Sequence, residues 1–262
     1  MNLKNLLRRT ESRTAVTARY GVARVLSKIG ICSRTCAAEW IVAGRVRLNG
    51  KIVRNPEYPM DSAKDKLTLD GKPIVAAKPR YIMLNKPRGL ITTTADEQGR
   101  DTVYSLLRDR SLPWLAPVGR LDKASEGLLL LTNDSAWAAR VLDPKTHVSK
   151  TYHVQVDQIL DSASLQRLRN GTEIYGEILR AKKITVLRQG QKNSWLEVIL
   201  DEGKNRQIRR LMEAFGIKVV RLVRVAIGPV ALANLAKGQW RELTLSEVKQ
   251  LANPGVMKRT DD

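Results

Sequence analysis

Two short segments near the N-terminus carry apolar residues at helical spacing. The first ends at Gly30, and its apolar positions are Val22, Val25, Leu26 and Ile29. The second begins at Ser33, a residue type that caps helix N-termini, and its apolar positions are Cys36, Ala37, Trp40 and Ile41. Glycine directly after a periodic segment is a common helix end, and Gly44 follows the second one. The pattern predicts two small helices close together in the chain.

An alternating pattern follows these helices. Basic and apolar residues alternate from Arg45 to Val53 about the pair Asn49-Gly50, which is a strong signal for a β-hairpin. Asp70-Gly71 marks a second turn after the segment Lys66–Leu69.

The two helices and the hairpin together resemble the alpha-L RNA-binding motif of ribosomal and tRNA-synthetase proteins, over about residues 18–78. In that family the basic helix start and the hairpin approach structured RNA. The resemblance implies four RNA-binding residues: Lys28, Arg34, Arg45 and Arg47. A solvated charged face on a small satellite domain is the alternative interpretation.

Strand-like segments dominate the rest of the chain after a linker between Pro73 and Pro79. The apolar segments are 81–84, 127–132, 152–156, 184–187 and 195–200. One helix is predicted around Leu165 and Leu168, with Asp161 or Ser162 as its cap, and another from Ile208 to Phe215. Because strands and helices do not alternate regularly, we expect an α+β domain with a mixed, mainly antiparallel sheet.

These patterns divide the chain into four parts. We predict a flexible basic arm over 1–17, the RNA-binding domain over 18–78, a larger domain over 79–252 and a tail over 253–262. No Walker pattern and no GxGxxG sequence follows a strand, so no nucleotide cofactor is expected.

Charge indicates the class of partner. The 262 residues carry a formal net charge of +20. Residues 1–80 hold 17 basic and 6 acidic side chains, which is more than half of that excess in under a third of the chain. A dense basic segment is typical of proteins that bind a polyanion, because each phosphate contact releases condensed counterions. Nucleic acid is favoured over a merely soluble basic surface.

Several other classes are disfavoured. No apolar stretch approaches the length of a membrane helix, and no apolar segment of a secretory signal follows the first basic residues, so we expect a cytoplasmic protein without a membrane partner. Cys32 and Cys36 are interpreted as small core residues, and no metal site is expected from them together with His147 and His153. A monomer is expected.

Asp122 lies in a turn-like stretch directly before the leucine-rich segment Leu128–Leu131. By itself, an aspartate there more often bonds to its own backbone. The segment GRLDKASEGLLLLTND, however, closely resembles the signature of the RsuA-type ribosomal RNA pseudouridine synthases, in which the aspartate of RLD is catalytic. NKPRG at 85–89, KTYHVQVD at 150–157 and EGKNRQIRRLMEAFG at 202–216 match the same family. The resemblance covers about residues 20–250.

The resemblance implies isomerisation of uridine to pseudouridine in ribosomal RNA, with a pseudouridine synthase-like catalytic domain and no cofactor. The N1–C1′ bond breaks, the uracil turns, and C5 joins C1′. A carboxylate beside the sugar can attack C1′, add to C6 or remove the C2′ proton, and the sequence does not choose among them. Since the target atoms are inaccessible in stacked RNA, the nucleotide must be flipped out.

The resemblance implies roles for Tyr152, Arg209 and Leu222, and the positions of Arg206, Arg120 and Lys86 make these three residues further candidates. Tyr152 stacks on the target uracil, and Arg209 supports the Asp122 carboxylate, with Arg206 as the alternative because helical spacing cannot separate them. Arg120 fills or braces the vacated space, and Leu222 presses on the nucleotide pocket or belongs to a strand core. Lys86 contacts phosphate or only ends a strand.

Two rival functions stay open at this stage. One is a ribosome-assembly factor that binds RNA on the same fold without catalysis. The other is a synthase that acts on tRNA. The sequence identifies neither the modified uridine nor the ribosomal subunit that contains it.

Overall fold

The computed structural model describes residues 19–93, 99–107 and 112–254. The chain folds as two compact units, the first ending at Ala76 and the second beginning at Ala77. This division lies two residues before the predicted boundary between 78 and 79. The predicted basic arm over 1–17 and most of the predicted tail, from 255 onward, lie outside the described residues.

The two predicted helices are present in the first unit. Strand β1 (Tyr20–Gly21) leads into helix α1 (Val22–Lys28), and helix α2 spans Arg34–Val42. The Ser33 side chain accepts a hydrogen bond from the Cys36 backbone N–H, as predicted for an N-cap.

Short antiparallel strands complete the first unit. They are β2 (Val46–Leu48), β3 (Lys51–Ile52), β4 (Pro59–Met60), β5 (Leu67–Leu69) and β6 (Lys72–Pro73). Strands β3-β2-β5-β6 form one sheet, and β1 pairs with β4. Asn49-Gly50 and Asp70-Gly71 each form a two-residue turn, and all four residues have positive φ. Both turns are where the sequence predicts them.

The core of the first unit lies between the helices and the strands. Its fully buried side chains include Val22, Leu26, Ala37 and Ile41. Cys32 is buried and Cys36 is half-buried, and neither forms a disulfide. Burial and the neighbouring thiol raise the pKa of Cys32 to about 12, so this cysteine is an inert core residue.

A nine-stranded mixed sheet forms the second unit. Its strands are β7 (Tyr81–Lys86), β8 (Ala116–Val118), β9 (Glu126–Thr132), β10 (Lys150–Val156), β13 (Lys183–Gln189), β14 (Ser194–Leu200), β15 (Val219–Ile227), β16 (Val230–Ala231) and β17 (Trp240–Glu242). The main path of the sheet runs β13-β14-β10-β15-β9-β7-β17, while β16 pairs with β15 and β8 with β9. Among these described strands only β9 and β15 pair in parallel, which confirms the predicted mixed, mainly antiparallel α+β architecture.

In the described residues, four helices and one separate hairpin accompany this sheet. The helices are α3 (Ser135–Leu142), α4 (Ser162–Asn170), α5 (Gln207–Glu213) and α6 (Leu245–Ala252), and the hairpin consists of β11 (Thr172–Ile174) and β12 (Glu177–Leu179). Asp161, not Ser162, caps α4. Short 3₁₀ turns lie at Val103–Leu106 and Pro144–Thr146. In the part of the chain that the structure describes, no helix is long and apolar enough to cross a membrane.

Strand β9 forms the centre of this unit. All seven of its residues are buried, because it is paired on both sides and covered on both faces. Leu128 and Leu130 pack towards α3 and α6, whereas Leu129 and Leu131 pack towards the segment around Leu115 and Leu121. The loop that carries Asp122 therefore leads directly into the most deeply buried strand of the unit.

Candidate active site

A cavity of about 560 Å³ lies in the second unit. This volume is in the range of small-molecule and cofactor sites. Its lining includes five residues that the sequence singles out: Arg120, Asp122, Tyr152, Arg206 and Leu222. The cavity thus brings together a carboxylate, an aromatic ring, guanidinium groups and an apolar side chain.

The loop carrying Asp122 is held by its backbone. Every carbonyl from Leu121 to Ser125 accepts a hydrogen bond, over donor–acceptor distances typical of such bonds. The donors are the Thr92 hydroxyl, the backbone N–H groups of Ser125 and Gly89, the Lys86 ammonium and the Arg209 guanidinium. A loop without free carbonyls has few alternative conformations, so the Asp122 side chain is presented from a fixed backbone.

Lys86 does not have the predicted phosphate-binding position. Its side chain is fully buried, and its Nζ donates to the carbonyl oxygens of Pro87, Asp122 and Ser125 at 3.1, 3.2 and 2.9 Å. An ammonium group enclosed by three carbonyls cannot reach a phosphate. Burial lowers the pKa of Lys86 to about 8, although Asp122 and Glu126 oppose this shift. Lys86 is a positioning residue for the Asp122 loop.

This lowered pKa predicts a specific pH dependence of stability. In the unfolded chain Lys86 keeps its proton up to about 10.5, whereas in the folded protein it releases the proton near 8. Between these values the unfolded state binds more protons, so the free energy of unfolding rises with pH. The whole gain is on the order of 3 kcal/mol, and it should be missing in Lys86→Met.

Urea unfolding at pH 7, 8, 9 and 10 tests this expectation. Lys249→Met removes an exposed lysine and is the matched control, which should keep the wild-type pH profile. Parallel profiles for wild type and Lys86→Met would contradict the prediction.

Among the described residues, the cation within ion-pair distance of the Asp122 carboxylate is Arg206, not Arg209. Nη1 of Arg206 lies 3.9 Å from Oδ2 of Asp122, with the two side chains 52% and 38% exposed. Arg209 instead donates to the carbonyls of Ala124 and Val219, at 3.1 and 3.3 Å. Burial and the neighbouring Arg206 lower the pKa of Arg209, and Asp122 counteracts them. In this structure Arg209 therefore acts on the Asp122 loop, and Arg206 forms the direct ion pair that we expected of Arg209.

Local backbone geometry explains how Arg206 reaches the cavity. Arg206 precedes α5 and has φ 48°, in the left-handed region that favours glycine. Arg209 is about one helical turn further on, where its guanidinium points at the Asp122 loop. Arg206 and Arg209 therefore do not converge on one carboxylate. Arg206 pairs with the Asp122 side chain, and Arg209 binds the backbone of the Asp122 loop.

Three further cations line the cavity and have no predicted role: Lys150, Lys204 and Arg224. Lys150 begins β10, and Arg224, in β15, is buried and donates through Nε to the Leu128 carbonyl at 2.7 Å. Burial lowers the pKa of Lys150, and Arg224 adds to this effect. Lys150 and Tyr152 lie two residues apart on one strand, so they share a face. That alternation is the signal that identifies Lys150, whereas nothing in the sequence distinguishes Arg224 from the neighbouring arginine, Arg221.

Tyr152 and Leu222 lie on adjacent antiparallel strands, β10 and β15. Tyr152 is half-buried and packs against two clusters of core residues. Leu222 is 7% exposed and belongs to one of these clusters, so it is a strand core residue that also lines the cavity. The strand-core interpretation of Leu222 therefore fits its burial, and its contact with the nucleotide stays a prediction.

In the first unit, the four predicted RNA-binding side chains are exposed. Two are already paired: Arg34 with Glu57 at 2.7 Å, and Arg45 with both carboxylate oxygens of Asp70, the shortest contact being 2.6 Å. Lys28 lies over the Tyr20 ring, 3.9 Å from its centroid, and Arg47 donates to the Gly50 carbonyl. Lys28 and Arg47 are therefore free of carboxylate partners among the contacts of the described residues.

Comparison with known proteins finds relatives of both units. The model of the RNA pseudouridylate synthase family matches residues 80–214, and that of the S4 domain matches residues 22–65. An uncharacterized RNA pseudouridine synthase of Aquifex aeolicus (strain VF5) is 39% identical over 232 residues, which cover 88% of this chain and 92% of the relative. The ribosomal large subunit pseudouridine synthase B of Bacillus subtilis (strain 168) is 36% identical over 87% of this chain and 93% of its own length. A crystal structure of a pseudouridylate synthase, 29% identical, has a TM-score of 0.61 and covers 88% of this chain and 99% of that one.

Proposed function

The chain belongs to the RNA pseudouridylate synthase family and is an RNA pseudouridine synthase with an RNA-binding S4 domain, and we propose that it isomerises a uridine of ribosomal RNA with Asp122 as the catalytic carboxylate. The observation that carries this proposal is that Asp122, Tyr152 and Arg206 line one cavity. Ribosomal RNA is favoured by the name of the Bacillus relative. A cytoplasmic location and a monomeric state remain predictions.

The positions of the residues that line the cavity support a separate role for each of them in the reaction. The flipped uridine enters the cavity, where its ring stacks on Tyr152 and packs against Leu222. Asp122, which pairs with Arg206, acts on the ribose or the base while the N1–C1′ bond breaks. The uracil turns, C5 bonds to C1′, and the proton on C5 leaves while N1 gains one. Atoms and charge balance without a redox partner.

The proposal also gives roles to Lys86, Arg209 and Arg120, which lie around Asp122. Lys86 and Arg209 hold the backbone carbonyls of Asp122, Ala124 and Ser125, so that the carboxylate does not move as the base rotates. Arg120 is exposed and lies two residues before Asp122, so it is placed to occupy the space that the flipped base leaves.

Direct assay of RNA substrates tests this function. The full chain is incubated separately with transcripts of large-subunit rRNA, small-subunit rRNA and a tRNA pool, and pseudouridine is mapped by reverse transcription after carbodiimide treatment. We expect one modified uridine, or a small number of them, in a ribosomal transcript. Modification confined to tRNA would overturn the rRNA assignment, and binding without any pseudouridine would favour an assembly factor.

Salt dependence tests the RNA contacts proposed for the S4 domain. Arg47→Ala and Lys28→Ala should each reduce the slope of log affinity against log salt by about 0.7 to 0.9, because each removes one phosphate contact. Arg34→Ala and Arg45→Ala should have smaller effects, since these side chains must first leave Glu57 and Asp70. Filter binding over a range of KCl concentrations measures the slopes, and slopes equal to wild type for all four variants would exclude these contacts.

A further inference from the structure

Three two-residue hairpin turns in the described residues share one backbone conformation. Their central pairs are Asn49-Gly50, Asp70-Gly71 and Tyr175-Gly176, and every one of these residues has positive φ. Asn and Asp are favoured at the first position because their short side chains tolerate the left-handed region. Tyrosine, with φ 52°, has no such advantage. Two of these three turns therefore have a favoured residue at the first position, and the third has Tyr175 there.

The Tyr175 side chain does not contribute packing that would explain this departure. It is fully exposed, at 101% of its reference area. Ile178, three residues further along the same hairpin, is 64% exposed. An aromatic ring that is both unfavourable for its turn and unburied in the folded chain is typical of a residue that contacts a partner.

The base of this hairpin is attached to the wall of the catalytic cavity. Nζ of Lys204 donates to the Ile178 carbonyl at 2.7 Å, and Nε2 of Gln207 donates to the Arg180 carbonyl at 3.0 Å. Lys204 and Gln207 both line the cavity. Nη1 of Arg210, in the same helix as Gln207, pairs with Glu177 at 2.7 Å. The hairpin is therefore fixed to the segment that presents Arg206 to Asp122.

We propose that Tyr175 stacks on an unpaired base of the substrate RNA that flanks the flipped uridine. The inference rests on the proposed function, because flipping one nucleotide leaves its neighbours without a stacking partner. Every base has a π-face, so an exposed aromatic side chain offers a platform that does not depend on phosphate contacts. The hairpin also carries Glu173 and Glu177, which disfavour a phosphate-binding role for it.

Substitution by asparagine separates binding from folding. Tyr175→Asn places at this turn the residue type that the chain uses at position 49, so the melting temperature should stay equal or rise. The affinity for RNA should nevertheless fall by about 5- to 150-fold, the range for loss of one stacked base. KM should rise by a similar factor while kcat stays within about 2-fold, because stacking contributes equally to the bound substrate and the transition state.

Rescue and control variants sharpen the test. Tyr175→Trp should restore affinity to wild type or above, since the larger ring keeps the stacking surface. Leu245→Ala removes a similarly exposed apolar side chain, 79% exposed at the start of α6, and should change neither KM nor affinity. The salt slope of Tyr175→Asn should equal that of wild type, in contrast to Arg47→Ala.

The probe is the ribosomal transcript in which the wild-type chain forms pseudouridine. If the wild type modifies no transcript, the proposed function fails and the stacking proposal fails with it. If the wild type is active and Tyr175→Asn binds and reacts like it, the stacking proposal is overturned alone. A fall in affinity that tryptophan does not restore, or one accompanied by a smaller salt slope, would also overturn it.

Discussion

Asp122→Asn is expected to reduce pseudouridine formation by about four orders of magnitude or more, while the affinity for RNA stays within a few-fold of wild type. The amide has the shape of the carboxylate but no negative charge, so it neither attacks carbon nor accepts a proton from the ribose. Loss of a positioned acid, base or nucleophile costs at the upper end of the range for such groups. The single ion pair that disappears, with Arg206 at 3.9 Å, is partly exposed and contributes little to stability.

Tritium release from C5-labelled uridine in the substrate transcript measures this effect, and filter binding measures affinity. Asp201→Asn is the matched control: Asp201 is 33% exposed and also has an ion pair, with Lys182 at 3.1 Å, but it does not line the cavity. It should retain wild-type turnover. Turnover by Asp122→Asn near that of wild type would remove Asp122 from the mechanism, whereas equal loss in both variants would indicate a general effect of charge.

Much of the fold follows from local chemistry in the sequence. The helices α1 and α2 and the turns at Asn49-Gly50 and Asp70-Gly71 are predicted because capping and left-handed turn residues act within a few positions. Hairpin β11-β12 is not predicted, since Tyr175 is an unusual residue for its turn. The parallel pairing of β9 with β15 joins residues far apart in the sequence, such as Glu126 and Val223, and no local pattern encodes it.

Some residues of the candidate site are also predictable from the sequence, and others are not. Asp122 and Tyr152 follow from motif resemblance, and the cavity contains both. The roles of Lys86, Arg206 and Arg209 depend on which carbonyls and carboxylates their side chains reach after folding. The sequence alone does not show whether a lysine such as Lys86 is exposed and able to bind phosphate or is buried. Only tertiary contacts reveal that it holds the Asp122 loop, with its ammonium fully enclosed.

Gly127→Ala is expected to destabilise the second unit by about 3 to 5 kcal/mol, because backbone strain and overpacking both act at this position. Gly127 is the residue of β9 that faces Arg224 across the parallel pair, and its φ is +100°. A Cβ there would lie 2.2 Å from the Arg224 carbonyl oxygen and 2.9 Å from its backbone nitrogen. The clash is with backbone, so no side-chain rotation relieves it.

Gly89→Ala provides a control with the same conformational cost. Gly89 also has φ +100°, but a Cβ built on it meets no atom within 4 Å. Alanine at 89 should therefore cost about 1 to 3 kcal/mol from backbone strain alone, and the difference in urea-unfolding free energy between the two variants measures the close approach. Equal costs at both positions would show that strand proximity at Gly127 is unimportant.

The close approach at Gly127 also has a catalytic consequence. Asp122 lies on the loop before β9, whereas Leu222 and Arg224 lie on β15, so the separation of these two strands sets the width of the cavity between them. Any Gly127→Ala protein that folds must move β15 away from β9 to accommodate the methyl group. Its kcat should then fall more than that of Gly89→Ala at a temperature where both are fully folded, because the proposed mechanism requires a fixed distance between Asp122 and the bound nucleotide.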